Sequence, residues 1–457
     1  MSDDRVEPEQ RSSPPDKGGV HEDQNDRHQG SMQSEAVLPS NSSNSVGELH
    51  SGVKVDLPVE KKIPSVAEIF GVFLVIGVSA FGMAIMQSIR SVPVRRGWMS
   101  KDDIDEGFGL VQLYPGAMMV DLVAYIGYRM KRIRGSLAAV IGFISPSLLL
   151  LIGLSWAYFT YGTHPEVRNL VVGLGSLVVG VLLSVTVDFA TQHARQRTAA
   201  LVALGAFIIA ATSRNVLWAV LLGALVGGIV DRTRFSLAGQ VTSNSPGTGS
   251  GANILWRRMG LAIVPGVIVA VIATMAALGT GPLAAVSADM AKIGAVAFGN
   301  GTTIMPVLQQ DALAHNWLNL SQFEVGIGFG QVTPGPFLST ASFIGYAAAG
   351  WLGAIAGGVA IYAPSVAMTM VVAEIYPWLR RLSFVRGAIA GVMASFTGLL
   401  VSMVVTLAKP LVSVPVALIF AGGAFVASRI FKLNVLLIFV VGIAVWALYL
   451  FLGGNVT

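Results

Sequence analysis

The sequence predicts an all-α polytopic membrane protein of about thirteen transmembrane helices, built as an inverted tandem repeat with interrupted helices. Three observations carry this expectation. Hydrophobic residues make up 53% of the chain and charged residues 12%, with a mean hydropathy of +0.68, which is too apolar for a water-soluble domain. Apolar runs of membrane-crossing length follow one another from Ile63 onward. Two distant stretches, FGLVQLYPGAMMVDLVAYIGY (Phe108 to Tyr128) and FGQVTPGPFLSTASFIGY (Phe329 to Tyr346), repeat a Gln, a Pro-Gly pair and an Ile-Gly-Tyr.

Taken in order, residues 1–62 are Ser, Asp, Glu, Gln, Pro and His without Phe, Trp or Tyr, and read as a disordered N-terminal tail lacking a signal-peptide core. Spans follow near 65–89, 107–128, 135–160, 169–189, 199–213, 215–230, 259–279, 289–310, 325–346, 350–373, 387–407, 411–428 and 433–452, with 199–230 a tight pair or a single re-entrant hairpin. The long polar break is Asp231 to Arg258, rich in Ser, Gly, Asn and Pro, a flexible linker. The expected organisation is therefore a first half at 63–230, a linker plus connecting helix at 231–287, and a second, inverted half at 288–452. With no cysteine in the chain, disulfides, thiol catalysis and cysteine-ligated metals are excluded. The net charge of +5 sits mostly in short loops, so it speaks of topology and not of nucleic acid.

The two halves align over nearly the whole membrane part. Trp98 to Gln112 is the same step as Trp317 to Gln331, and Tyr128 to Pro146-Ser147 the same as Tyr346 to Pro364-Ser365. SAFGMA (Ser79 to Ala84) faces VAFGNG (Val296 to Gly301). One span at 259–279 stands between the copies, and an odd number of crossings turns the second upside down. Loop charge tests this, since cytoplasmic loops are rich in Lys and Arg. RMKRIR (Arg129 to Arg134) carries four positive residues and its counterpart AAAGWLG (Ala347 to Gly353) none. Three further loop pairs fit a cytoplasmic N-terminus and an external C-terminus. One pair does not: RSVPVRRGWMSK (Arg90 to Lys101), with four positives, would lie outside. Either the 65–89 segment is broken or re-entrant, or function holds those arginines outside the rule.

These residues resemble the chromate ion transporter family in its long, two-half form, over roughly residues 65 to 452. The resemblance rests on Arg95-Arg96-x-Trp98-x-Ser100, Gln112-x-x-Pro115-Gly116, Ile126-Gly127-Tyr128, Phe298-Gly299, Trp317-Leu318, Gln331-x-x-Pro334-Gly335-Pro336 and Ile344-Gly345-Tyr346. The family usually has Gly-Pro after the first Phe-Gly, where this chain has Met83-Ala84, and often Pro where Ala117 stands. The resemblance implies chromate efflux across the inner (plasma) membrane, by proton-linked or potential-linked exchange.

A Pro-Gly pair inside a membrane helix should interrupt it near mid-membrane and expose a new helix N-terminus, whose unpaired N–H groups and partial positive charge suit an anion. Pro115-Gly116 and Pro334-Gly335 are thus expected as two half-sites of one oxyanion pocket. Gln112, Gln331, Thr333, Ser339, Thr340 and Asn300 would add side-chain donors, and Gly299 and Gly301 a second loop of backbone donors. The alternative is plain: Pro-Gly kinks packed helices, the Gln side chains bond backbone, and the glycines serve close packing. Asp121, the acid deepest in a span, would repel a dianion, so it suits proton carriage or an arginine partner. Its counterpart is Ser339 or Thr340, depending on where a one-residue gap falls. Arg95 and Arg96 are candidates for drawing anions to the pathway, against a solvated-loop reading. Asp188, Asp289, Lys292 and Glu374 read as span-end residues.

The expected partners are chromate or a sulfate-like oxyanion, protons as a coupling ion, membrane lipid and a second copy of the chain; no cofactor or metal is implied. Two other classes compete. An anion channel on the same scaffold would share every motif. A membrane enzyme would need clustered carboxylates or histidines, and His164, His193 and His315 are scattered singly.

Overall fold

The computed structural model describes residues 64–79, 83–162, 164–194, 196–212, 217–230, 279–299, 301–379 and 383–454. The expected tail at 1–62, the Asp231–Arg258 linker and nearly all of the expected 259–279 span lie outside them. Among the described residues the regular structure is helical throughout. The first half carries α1 (Val66–Ser79), α2 (Met83–Arg95), α3 (Lys101–Val111), α4 (Met118–Tyr161), α5 (Pro165–His193), α6 (Arg197–Thr212) and α7 (Leu217–Val230). The second carries α8 (Pro282–Ala295), α9 (Met305–Ala314), α10 (Leu320–Val332), α11 (Thr340–Ala360), α12 (Ala363–Leu379), α13 (Ser383–Ala408), α14 (Pro415–Arg429) and α15 (Val435–Phe451).

Among the described residues four stretches are long and apolar enough to cross a membrane: Met118–Tyr161, Asn169–His193, Phe337–Glu374 and Gly387–Ser413. Shorter apolar helices join them, and the outward surface is apolar as lipid contact demands, with Leu201, Ile229 and Ile419 exposed by 68%, 69% and 71%. The segments expected as single spans at 65–89, 107–128, 289–310 and 325–346 are each divided between two helices. At 14 residues, α1 is about 21 Å long, well short of a ~30 Å hydrocarbon core. The causes are local. Capping boxes start α3 (Ser100 with Asp103) and α10 (Asn319 with Gln322), and the Pro-Gly pairs stop them. Gly299 and Gly301 hold positive φ angles of 75° and 87° that an α-helix excludes.

The 44-residue α4 is two arms. Lys131 and Arg132 break it (φ −136°, ψ 28°; φ 54°, ψ −141°), and α11 breaks in the same way at Ala349 and Gly350 (φ −148°, ψ 27°; φ 65°, ψ −154°). The arms then touch through paired glycines, Gly127 against the carbonyl of Gly135 and Gly345 against that of Gly353, where a β-carbon has no room. Around these hairpins α1 packs on α4 and α8 on α11, whereas the C-terminal helices exchange partners: α5 packs on α14 and α15, and α13 on α6 and α7. Small residues allow the approach, Gly223 and Gly227 meeting Gly387 and Gly391, and Gly180 meeting Ala421.

Candidate functional site

The two Pro-Gly breaks converge. A cavity is lined by Ala117, Met119 and Val120 from the first break, Pro336, Phe337 and Leu338 from the second, and Gly299. Met118 N–H donates to the Gly299 carbonyl at 3.1 Å, and Gly301 abuts Leu338, so Gly299 braces the first loop and Gly301 the second. Each loop opens a helix without a side-chain cap. In the first turn of α4 the Asp121 N–H already reaches the Ala117 carbonyl at 2.9 Å, which leaves the N–H groups of Met119 and Val120 for another acceptor. In the second loop Ser339 N–H bonds the Pro336 carbonyl at 3.0 Å, and the N–H groups of Phe337 and Leu338 stand in the same position. Four backbone donors therefore belong to residues lining one cavity, a concentration of partial positive charge that suits an anion.

Behind each loop a polar cluster joins the halves. Gly335, at φ 107°, packs on Ser147: a β-carbon there would stand 3.0 Å from Ser147 Cβ and Oγ. Ser147 Oγ bonds Ser339 Oγ at 2.8 Å, and Ser339 bonds the Tyr362 hydroxyl at 3.1 Å. Across the molecule a β-carbon on Gly116 would stand 3.0 Å from Ser365 Cβ and against the Asp121 carboxylate. Tyr114 and Thr369 hydroxyls bond at 2.6 Å. The Asp121 carboxylate faces Ser365 and Thr369. Those hydroxyls donate to the carbonyls of Tyr362 and Ser365 instead, and both Asp121 oxygens are buried without a hydrogen bond. Asp121 thus stands to Ser365 as Ser339 stands to Ser147, so the gap in the alignment falls before residue 339 and Ser339, not Thr340, is the counterpart of Asp121.

Of the residues singled out in the sequence, Gly299 lines the cavity itself. Gly116, Gly335, Ser339 and Asp121 belong to the polar clusters that join the halves, and Pro115 and Pro334 directly precede the two glycines. Gln112 is half-buried at the end of α3; Gln331, in the last turn of α10, has its Oε1 buried without a partner. Thr333 is buried with its hydroxyl toward the Gly330 carbonyl, and Thr340 donates to the Phe337 carbonyl at 3.0 Å. Gly301 supports the second loop. Asn300 lies outside the described residues, as do the side chains of Met83 and Ala84. Arg95 and Arg96 are exposed at the end of α2, away from the cavity lining, with Arg96 over the Trp98 ring. Sequence reasoning passed over Met119, Val120, Phe337 and Leu338, because their contribution is backbone and their side chains are ordinary apolar ones. Glu324 was also passed over: it closes a polar stretch just before an apolar run, yet it is 5% exposed.

Ion pairs tie other segments. Arg132 meets Glu374 at 2.6 Å and Tyr128 donates to the same carboxylate at 2.9 Å, so Glu374 is anchored rather than simply solvated. Arg129 lies 3.7 Å from Asp103, Arg90 pairs with Asp105 and stacks on Phe108, and Arg429 pairs with Asp188. Asp289 meets Lys292 at 2.8 Å and His315 at 3.5 Å.

Comparison with known proteins gives one family. The pattern described as "Chromate transporter" matches residues 67–228 and again 284–448. The chain is 27% identical over 365 residues to the "Chromate transport protein" of Cupriavidus metallidurans, covering 76% of this chain and 84% of that one. It is 25% identical over 402 residues to the "Chromate transport protein" of Pseudomonas aeruginosa (84% and 93%), and 24% identical over 361 residues to an uncharacterised transporter of Methanocaldococcus jannaschii (78% and 87%). No solved structure matches the chain.

Proposed function

The chain belongs to the chromate transporter family, and from that premise we propose that it is a secondary transporter moving chromate, or a similar oxyanion, out across the cytoplasmic membrane. The observation that carries the reading is the meeting of the two Pro-Gly loops at one cavity. The cavity as it stands has room for about one water molecule; widened to admit a tetrahedral dianion, it would let the anion accept from the first-turn N–H groups of α4 and of the Phe337 turn, with Gly335 and Gly116 keeping the backbones close. The neutral Ser147–Ser339–Tyr362 cluster would support the anion, and Asp121 would act in coupling or gating on the other side. Leaving a cell with a negative interior is worth roughly 4.6 kcal/mol per 100 mV to a dianion, twice ~2.3 per charge.

The inverted-repeat reading is supported by matched environments in the two halves: equal breaks at Arg132 and Gly350, equal glycine pairs, and exchange of C-terminal helices. It also accounts for the loop that breaks the charge rule. The Arg129–Asp103 contact supports reading α3 and the first arm of α4 as a re-entrant hairpin with both ends on one face. If α1 and α2 form a hairpin of the same kind, the Arg90–Lys101 loop returns to the cytoplasmic side beside RMKRIR. Four such hairpins, two per half, leave the parity unchanged, so the N-terminus is inside and the C-terminus outside.

The test is labelled chromate uptake into inside-out vesicles, with sulfate, molybdate and phosphate as competitors. Saturable, exchange-stimulated flux is expected. Flux that rises linearly without limit would make the protein a channel, and sulfate outcompeting chromate would reassign the substrate.

A further inference from the structure

One carboxylate in the bundle interior has no part in the anion pocket. Glu324, in the first turns of α10, is 5% exposed, and its Oε1 is buried without a hydrogen bond. Its Oε2 packs on Gly175 of α5, where a β-carbon would stand 2.5 Å away. None of the ion pairs among the described residues includes it. The neighbouring surface of α5 is Leu174, Gly175 and Ser176, and the Ser176 hydroxyl is given to the Gly173 carbonyl.

Among the described side chains, the titratable groups nearest on the elements packed against α10 are engaged or distant, while the side chains of Glu166 and Arg168, about two turns before Gly175 on α5, lie outside the described residues. On α5, Asp188 pairs with Arg429, and with His193 it lies ~20 Å or more along the helix from Gly175. On α9, Asp311 faces His315. On α4 and α11, Tyr158 and Tyr346 lie in the ring cluster with Phe159 and Phe343, and on α15 Tyr449 packs beside Trp446.

Two further observations give this acid a direction. Gly328, one turn on, packs against Leu174 of α5, and Gln331, two turns on, has its Oε1 buried without a partner. Residues seven apart share a helix face. A stripe on α10 thus runs from Glu324 to the loop that lines the anion cavity. The register that equates Trp98 with Trp317 also equates Asp105 with Glu324 and, with the two-residue difference from the Phe-Gly words placed before Ile85-Met86 and Ile304-Met305, Arg90 with Gln309. In the first half the acid is neutralised by Arg90; in the second, Gln309 stands in place of the cation with its Nε2 buried and unpaired. The acid is retained while its counter-charge is deleted, and a buried carboxyl in that condition is stable when it carries a proton.

We propose that Glu324 is a proton-binding site that loads and unloads once in each transport cycle, connected through the Gln331 stripe to the anion pocket. The step is a proton transfer alone: the carboxylate takes a proton from one side of the membrane and gives it up on the other, with no change of oxidation state. The inference rests on the transport reading above.

The experiment uses the full chain purified into proteoliposomes, with labelled chromate and the membrane potential clamped at zero. Wild type should respond to an opposed pH gradient by roughly tenfold in accumulated chromate per pH unit, the worth of one proton. Glu324→Gln should lose that response while chromate-for-chromate counterflow persists, and Glu324→Asp should keep part of it. A response retained in Glu324→Gln, a wild type indifferent to the gradient, or loss of counterflow in a variant that remains monodisperse would each overturn the proposal. Infrared difference spectra on acidification supply a readout independent of flux. A protonated-carboxyl band missing from Glu324→Gln supports the proton site even if chromate is not the substrate; an unchanged band overturns it.

Discussion

Gly335→Ala measures how tightly the second loop is held against the first half. The residue sits at φ 107°, a region costing a side-chain-bearing residue roughly 1–3 kcal/mol. The new methyl would stand 3.0 Å from both Ser147 Cβ and Oγ, so Ser147 must move and its 2.8 Å bond to Ser339 is lost, another ~1 kcal/mol. The sum, about 2–4 kcal/mol, displaces the native loop by roughly thirty- to several-hundred-fold in population. Thermal unfolding in detergent should fall, and chromate flux in proteoliposomes should fall further, because the Phe337 and Leu338 N–H groups move with the loop. Ser147→Gly makes room, so the double variant should recover about 1 kcal/mol relative to the sum of the singles. Gly335→Ala with wild-type flux, together with strict additivity in the pair, would refute the idea that this contact sets the site.

Other consequences are quicker to check. Ala117→Pro is compatible with the observed φ of −81° and gives the first loop the residue of the second, Pro336; it should retain folding and shift the chromate-to-sulfate ratio in competition assays, and no shift would remove residue 117 from substrate choice. Gln331→Ala should cut flux several-fold with little change in melting temperature, since its Oε1 makes no bond to lose; a variant with unaltered flux would take the side chain out of the pathway. Arg132→Gly removes a positive-φ penalty of ~1 kcal/mol or more but also the Glu374 ion pair, so it should melt near wild type, whereas Glu374→Ala should be clearly less stable; the reverse order would show that the pair is not structural.

The sequence exposed the parts that carry periodic or punctuating signals. Apolar runs marked the helices, and Pro115-Gly116 and Pro334-Gly335 marked breaks because proline and glycine act on the backbone directly. The repeat in spelling led to the two loops that share the cavity. What it hid is of another kind. What Met119, Val120, Phe337 and Leu338 bring to the lining is N–H groups that every residue has, so no side chain announced it. The helix breaks within 65–89 and 289–310 are not marked by hydropathy, which counts apolar residues without registering the positive φ of Gly299 and of Gly301. The charge of Arg90–Lys101 already raises a broken or re-entrant 65–89 segment as one of two readings. Glu324 was obscured by position, since an acid at the start of an apolar run resembles one at a membrane surface until packing buries it against Gly175.

The chain contains no cysteine, so single cysteines can be placed without background at Ala117 and at Leu338, one on each loop. Their labelling by a small thiol reagent, titrated with chromate, tests most directly whether the two loops form one anion site. Protection of both positions at the same half-saturating chromate concentration is the predicted result. Protection of one alone, or of neither in protein that still transports, would contradict it.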